Sequence, residues 1–147
     1  MRVAVLNGPN LNLLGTREPH VYGTETLADI ERAVRDRATA STVGIDWFQT
    51  NHEGQFVDQV QALKGRADGA VINAAAFTHT SWAIRDALLA VQVPFVEVHL
   101  SNVFAREPAR RQSLLADLAV GVVAGFGARS YVLGLDGLVA HLRSRAG

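Results

Sequence analysis

At 147 residues, 48% of them apolar and none cysteine, the chain has the size and composition of one domain with its own hydrophobic core, and it excludes disulfides, thiolate nucleophiles and cysteine-held metals. Its 14 basic residues balance 14 acidic ones, which argues against nucleic acid as a partner, because phosphate-binding surfaces carry a basic excess. The opening Met1-Arg2-Val3-Ala4-Val5-Leu6 is too short for a signal peptide, and no apolar stretch approaches the roughly 20 residues of a membrane span, so a cytoplasmic protein without membrane contact is expected.

In chain order, the first predicted element is a strand over Val3–Leu6. Leu27, Ile30, Val34 and Ala38 then recur at helical spacing behind Thr26, a hydroxyl suited to cap the first turn, with Asp29 three residues on. Val43–Phe48 predicts a second strand, and Phe56, Val57, Val60 and Leu63 a second helix. Ala70–Ile72 predicts a third strand, Trp82, Ile84, Ala87, Leu88 and Val91 a third helix, and Phe95–Val98 a fourth strand. Arg110–Leu118 reads as a short helical turn, Val120–Ala124 as the fifth strand, and Leu133, Leu138, Val139 and Leu142 mark the last helix. Short, nearly continuous apolar runs suit strands buried on both faces of a parallel sheet, and strands that alternate with helices imply crossover connections. The expected fold is therefore one flavodoxin-like α/β domain over residues 1–147. It is a doubly wound five-stranded parallel sheet in a three-layer α/β/α sandwich, with ligands bound beyond the carboxyl ends of the strands.

Polar residues gather at that edge. The first strand is followed by Asn7-Gly8-Pro9-Asn10-Leu11-Asn12 and the second by Gln49-Thr50-Asn51-His52-Glu53-Gly54. Asn73 follows the third, with Thr78-His79-Thr80-Ser81 beyond it, and the fourth ends in Glu97-Val98-His99-Leu100-Ser101-Asn102. Strand alternation sends Glu97, His99 and Ser101 to one face and Val96, Val98 and Leu100 to the other. A carboxylate beside an imidazole orients the ring for general acid catalysis; the competing reading is a purely structural pair. The segment from Asn7 to Gly23 exceeds the usual two to six residues of such a connection and suits a lid over about residues 15–23. It carries Arg17 and Tyr22, and a guanidinium beside a phenol favours phenolate, which makes a base.

Other chemistries lack their signatures. His52, His79 and His99 follow no standard metal-ligand spacing, the hydrolase nucleophile elbow is missing, and no phosphate-binding glycine loop follows the first strand. Lys64, the only lysine, lies near the end of the second predicted helix, away from the polar strand ends, so a Schiff base has no obvious donor. The remaining chemistry runs on acids, bases and hydrogen bonds.

The run Asn7-Gly8-Pro9-Asn10-Leu11-Asn12-Leu13-Leu14-Gly15, then Arg17-Glu18-Pro19 and Tyr22-Gly23, closely resembles the opening of the type II 3-dehydroquinate dehydratases. The strand-end motifs quoted above continue that resemblance in order across essentially the whole chain. It implies a sheet order of 2-1-3-4-5, a dodecamer built as four trimers, and no metal or organic cofactor. It also implies an anti elimination of water from 3-dehydroquinate, through an enolate, to 3-dehydroshikimate. In that reading Tyr22 takes the proton from carbon 2, assisted by Arg17, and Asn10 holds a water on the enolate oxygen. His99, positioned by Glu97, protonates the departing hydroxyl. Asn73, Ser101 and the backbone N–H near Leu100 grip the carboxylate, while His79, Arg110 and the Asp86 of a neighbouring subunit hold the ring hydroxyls.

Three positions depart from the family pattern: Ala74 where proline is usual, Phe104 where histidine is usual, and Pro108-Ala109 in place of Glu-Phe before Arg110. They read as altered tuning or subunit contact. Tyr131, at the head of the last helix, reads as structural, as do Trp47 and Trp82 in the core or at subunit contacts. His52 and Glu53 read as a cap on the second helix and part of the site floor, His20 as a lid residue, and His141 as solvent-facing. The alternatives are a non-catalytic homologue that binds a ligand or partner, whose mark would be loss of Tyr22, Arg17 or His99, and a nucleotide or receiver domain, whose phosphate loop or acidic cluster is missing. The same step serves aromatic biosynthesis and quinate breakdown, and the sequence does not separate them.

Overall fold

The computed structural model describes residues 1–16, 20 and 24–146. Its strands are β1 (Arg2–Asn7), β2 (Gly44–Gln49), β3 (Gly69–Asn73), β4 (Phe95–His99) and β5 (Gly121–Ala124). They form one five-stranded sheet in the order β2-β1-β3-β4-β5, and every pairing is parallel. The register sets Asn7 opposite Gln49 on one side and opposite Asn73 on the other. Polar residues separated by dozens of positions in sequence thus become neighbours at one edge. The order reverses at β1, since the chain leaves it first for β2 and later returns beside it as β3. Such a switch point opens a crevice between diverging connections.

The helices are α1 (Leu27–Ala40), α2 (Glu53–Gln61), α3 (Phe77–Thr80), α4 (Trp82–Val91) and α5 (Arg129–Ala146). α1 begins as its sequence predicts: the Asp29 N–H donates to Thr26 Oγ1 at 3.1 Å, and the Thr26 N–H donates to Asp29 Oδ2 at 3.0 Å. The Thr26 N–H, followed by the Thr26 hydroxyl, holds the Asp29 carboxyl below its usual range. Two cores flank the sheet, and strand alternation assigns residues between them. Val3, Val5, Val71, Val96 and Val98 pack against Ile30 and Val34 of α1 and Leu135 and Leu138 of α5. Ala4, Leu6, Ala70, Ile72 and Phe95 pack against Phe56 and Val60 of α2 and Ile84 and Leu88 of α4. Burying one such large side chain stabilises the fold by about 1.5–3 kcal/mol.

Some expectations fail for tertiary reasons. Beyond the 3-10 turn Pro108–Arg110, residues 111–118 form turns and bends instead of continuing as a helix. There Ser113 Oγ accepts the N–H groups of Leu115 and Ala116, and the Leu114 N–H donates to Thr78 O, so these three N–H groups are satisfied outside a helix. On α5 the inward stripe runs through Tyr131, Leu135, Leu138 and Val139, while Leu133 points outward. Of the two places expected for Trp82, core or subunit contact, the core is excluded, since the side chain is 63% exposed. Trp47 is half-buried with its ring centroid 6.0 Å from that of Tyr131. His141 is half-buried, at the edge of a surface groove.

Candidate active site

A cleft opens at the carboxyl ends of β1, β3 and β4, lined by Asn10, Asn73, His79, His99, Leu100, Ser101 and Arg110 among others. Seven of the residues singled out in the sequence therefore meet in one place. The close approach of two connections builds its wall. The Gly8 N–H donates to Asn73 O at 2.8 Å, and a Cβ on Gly8 would stand 2.2 Å from Ala74 O, so only glycine fits there. Ala74 is wholly buried beneath the wall, which keeps that turn defined without the proline usual at this position.

Asn10 adopts a left-handed backbone, φ 68°, which asparagine tolerates better than most residues. Its N–H donates to Asn51 Oδ1 at 2.9 Å, and Gln49 Nε2 donates to the same oxygen and to Gly8 O, both at 3.1 Å. The amides of the second strand end thus brace Asn10 from below. His52 and Glu53 stand exposed at the start of α2 and do not line the cleft. His52 is at the capping position of α2 but makes no side-chain cap bond.

The Asn73 side chain is held by two neighbours, one of them tied in turn to Asn7. Its Oδ1 accepts the Ala75 N–H at 3.1 Å, its Nδ2 donates to the Tyr131 hydroxyl at 3.0 Å, and that hydroxyl donates to Asn7 Oδ1 at 2.7 Å. The Asn7 amide in turn donates to Phe48 O at 3.0 Å. This chain fixes which end of the Asn73 amide is nitrogen and leaves its second N–H as a donor toward the cleft. Burial pushes the Tyr131 hydroxyl well above the usual phenol range, so it remains a neutral member of the network.

The fourth strand end carries the one buried acid–imidazole pair predicted from alternation. His99 Nε2 lies 2.9 Å from Glu97 Oε2, with the side chains 6% and 2% exposed. The carboxylate can only accept, so Nε2 carries a hydrogen and Nδ1 is the ring nitrogen left for proton transfer. His79, on α3, places Nδ1 2.7 Å from Gln112 O, and a carbonyl likewise requires an N–H there, leaving Nε2 for the cleft. Arg110 reaches the cleft from the 3-10 turn that Pro108 begins, with its Nε 2.5 Å from Glu107 Oε1. Phe104, at the second departure from the family pattern, is 65% exposed and does not line this cleft.

Several predicted residues stand elsewhere. Asp86 is exposed on α4 and does not line this cleft in its own chain. Arg17 and Tyr22 lie outside the described residues. Arg106 lines the cleft and was not singled out in the sequence, where its only signal is its place in the loop that leaves β4. Among the described residues no group of three or more His, Asp or Glu could hold a metal ion, and no helix is long and apolar enough to cross a membrane.

The model of the family described as Dehydroquinase class II matches residues 1–139. A 3-dehydroquinate dehydratase of Synechococcus sp. (strain WH7803) is 59% identical over 143 residues, 97% of each chain. One from Parasynechococcus marenigrum (strain WH8102) is 58% identical over 143 residues, 97% of this chain and 98% of that one. The crystal structure of a type II dehydroquinase from Butyrivibrio crossotus DSM 2876 superposes with a TM-score of 0.91 at 38% identity, over 94% of this chain and 97% of that one. With a family match over nearly its whole length and the sheet order 2-1-3-4-5 that such enzymes share with it, the chain belongs to the type II dehydroquinases.

Proposed function

We propose that this chain is a 3-dehydroquinate dehydratase, a hydro-lyase that removes water from 3-dehydroquinate by anti elimination through an enolate. The observation that carries the reading is the buried His99–Glu97 pair at the end of β4, whose Nδ1 is the ring nitrogen available at a cleft where the other polar groups are amides, a hydroxyl, guanidinium groups and the His79 imidazole. A proton beside a ketone is weakly acidic, so donors set in advance around the developing oxyanion must stabilise it. Asn10 suits that task by holding a water on the enolate oxygen.

The base is assigned to Tyr22, with Arg17 favouring its phenolate. The chain has two tyrosines, and the other, Tyr131, is buried and kept neutral. Phenolate removes the hydrogen from carbon 2, the electron pair moves to the ketone oxygen, and on its return the bond from carbon 1 to oxygen breaks. His99 delivers its Nδ1 proton to that oxygen, which leaves as water. Asn73, Ser101 and the backbone N–H near Leu100 grip the carboxylate. His79 and Arg110 hold the ring hydroxyls, and the Asp86 of a neighbouring subunit joins them, consistent with its outward position on α4.

In the same reading residues 1–147 form a single catalytic domain with a lid over about residues 15–23. It works in the cytoplasm as a dodecamer of four trimers. Continuous ultraviolet measurement of the conjugated enone of 3-dehydroshikimate tests the activity, and purified protein that produces no enone would refute it. Lys64 is exposed and away from the cleft, so borohydride added with substrate should leave turnover intact; inactivation would reveal an imine and overturn the mechanism.

A further inference from the structure

The segment between the 3-10 turn and β5 has little regular structure yet is firmly clamped. The Leu114 N–H donates to Thr78 O at 2.9 Å, Arg85 Nη1 donates to Leu114 O at 2.8 Å, and the Arg85 guanidinium grips both oxygens of Asp117 at 2.6 and 3.0 Å. Leu115 is wholly buried in the core between the sheet, α2 and α4. Within this clamp Ser113 Oγ accepts two backbone N–H groups, from Leu115 and Ala116, each at 3.0 Å. With its acceptor side filled, its own hydrogen goes to Glu97 Oε1 at 2.6 Å.

Glu97 is therefore held at both oxygens, one by Ser113 and the other by the ring of His99 at 2.9 Å. A carboxylate fixed at one oxygen only can turn about its last torsion, which is broad for such groups. Fixed at both, it cannot, and the ring it holds keeps one orientation.

We propose that Ser113 is a positioning residue for the elimination: it locks the Glu97 carboxylate and, through it, points Nδ1 of His99 at the departing hydroxyl. The inference rests on the assignment of His99 as the acid. Ser113 acts on the second half of the reaction, expulsion of the hydroxyl, and leaves substrate binding and removal of the carbon-2 hydrogen to other groups.

The test uses the full chain with Ser113→Ala, Ser113→Thr and His99→Ala beside the parent protein. Ser113 is half-buried and borders a cavity of about 340 Å³, so the extra methyl of threonine has room. Ser113→Ala should lower kcat about tenfold, the loss of one hydrogen bond to a charged group, equivalent to about 1.4 kcal/mol. KM should stay within about twofold. Ser113→Thr, which keeps the hydroxyl, should restore most of kcat.

In deuterium oxide, substrate recovered at half conversion should carry more deuterium at carbon 2 with Ser113→Ala than with the parent. Slower expulsion lets the enolate return to substrate. A merely structural role would not change that partition. Normal kcat in Ser113→Ala, or equal losses in both serine variants with unchanged deuterium content, would overturn the proposal. If His99→Ala retained turnover, the assignment of the acid would fail. If His99→Ala alone lost turnover, only the role of Ser113 would fall.

Discussion

Replacing Tyr131 with phenylalanine removes one oxygen from the centre of the site's buried scaffold. That oxygen accepts from Asn73 Nδ2 at 3.0 Å and donates to Asn7 Oδ1 at 2.7 Å, and Asn7, Asn73 and Tyr131 are 0%, 3% and 0% exposed. With all three residues this deeply buried, a buried donor and a buried acceptor lose their partner together. Each unsatisfied group costs about 1–3 kcal/mol. Closure of the gap between the two amides offsets part of this, and a net loss of about 2–3 kcal/mol is expected. For a domain of this size that corresponds to a fall in Tm of about 4–12 °C, measured by thermal denaturation followed by circular dichroism.

The functional effect follows from the same bonds. The Asn73 amide keeps the Ala75 N–H on its oxygen but loses the anchor on its nitrogen. Its second N–H no longer points reliably at the substrate carboxylate. That contact is the same in ground and transition states, so KM should rise about five- to tenfold with kcat within about twofold. Unchanged Tm and unchanged KM would refute the network as the support of the carboxylate site. A collapse of kcat with unchanged KM would give Tyr131 a direct part in the chemistry and contradict its neutral, buried state.

Two further expectations address the chemistry and the packing. Tyr22→Phe should reduce kcat by about 10²–10⁴-fold, the contribution of a positioned acid or base, while substrate affinity measured by calorimetry stays near that of the parent; near-normal turnover would remove Tyr22 from the role of base. Gly134→Ala should destabilise the protein by about 1–3 kcal/mol, because the new Cβ would lie 2.5 Å from Val98 Cγ1 and force α5 off β4. Gly137→Ala, exposed on the same helix with no atom within 4 Å of its Cβ, should instead stabilise it by about 0.5–1 kcal/mol. Chemical denaturation of the pair checks both signs, and equal effects would refute the packing argument.

Much of the fold was legible because its causes are local. Mostly apolar runs of three to six residues marked all five strands within one residue at each end, since strands of a parallel sheet covered on both faces are largely apolar. Thr26 and Asp29 announced the start of α1 because a capping box is made within one turn. Glu97 and His99 could be paired on paper because alternation along one strand suffices to bring them together. The cleft itself was readable from the polar strand ends, three of which line it while the second braces Asn10, since a parallel sheet places all its carboxyl ends at one edge.

The tertiary structure alone decided which distant groups support that site. Tyr131 meets Asn7 across 124 positions, and Gln112 meets His79 across 33. No periodicity within a helix or strand encodes such partners, because sheet order and loop closure create them. The same reason limits the short helical turn expected over Arg110–Leu118 to the 3-10 turn Pro108–Arg110, with turns and bends beyond it. Thr78, Arg85 and Glu97 offer that segment better partners than its own backbone does. Sequence thus marked the elements and the candidate site groups held on a single strand or in one motif. Long-range contacts settled the orientation of the Asn73 amide, the hydrogen-bearing nitrogen of His79 and the anchoring of Glu97, because each depends on a neighbour that only the folded chain supplies.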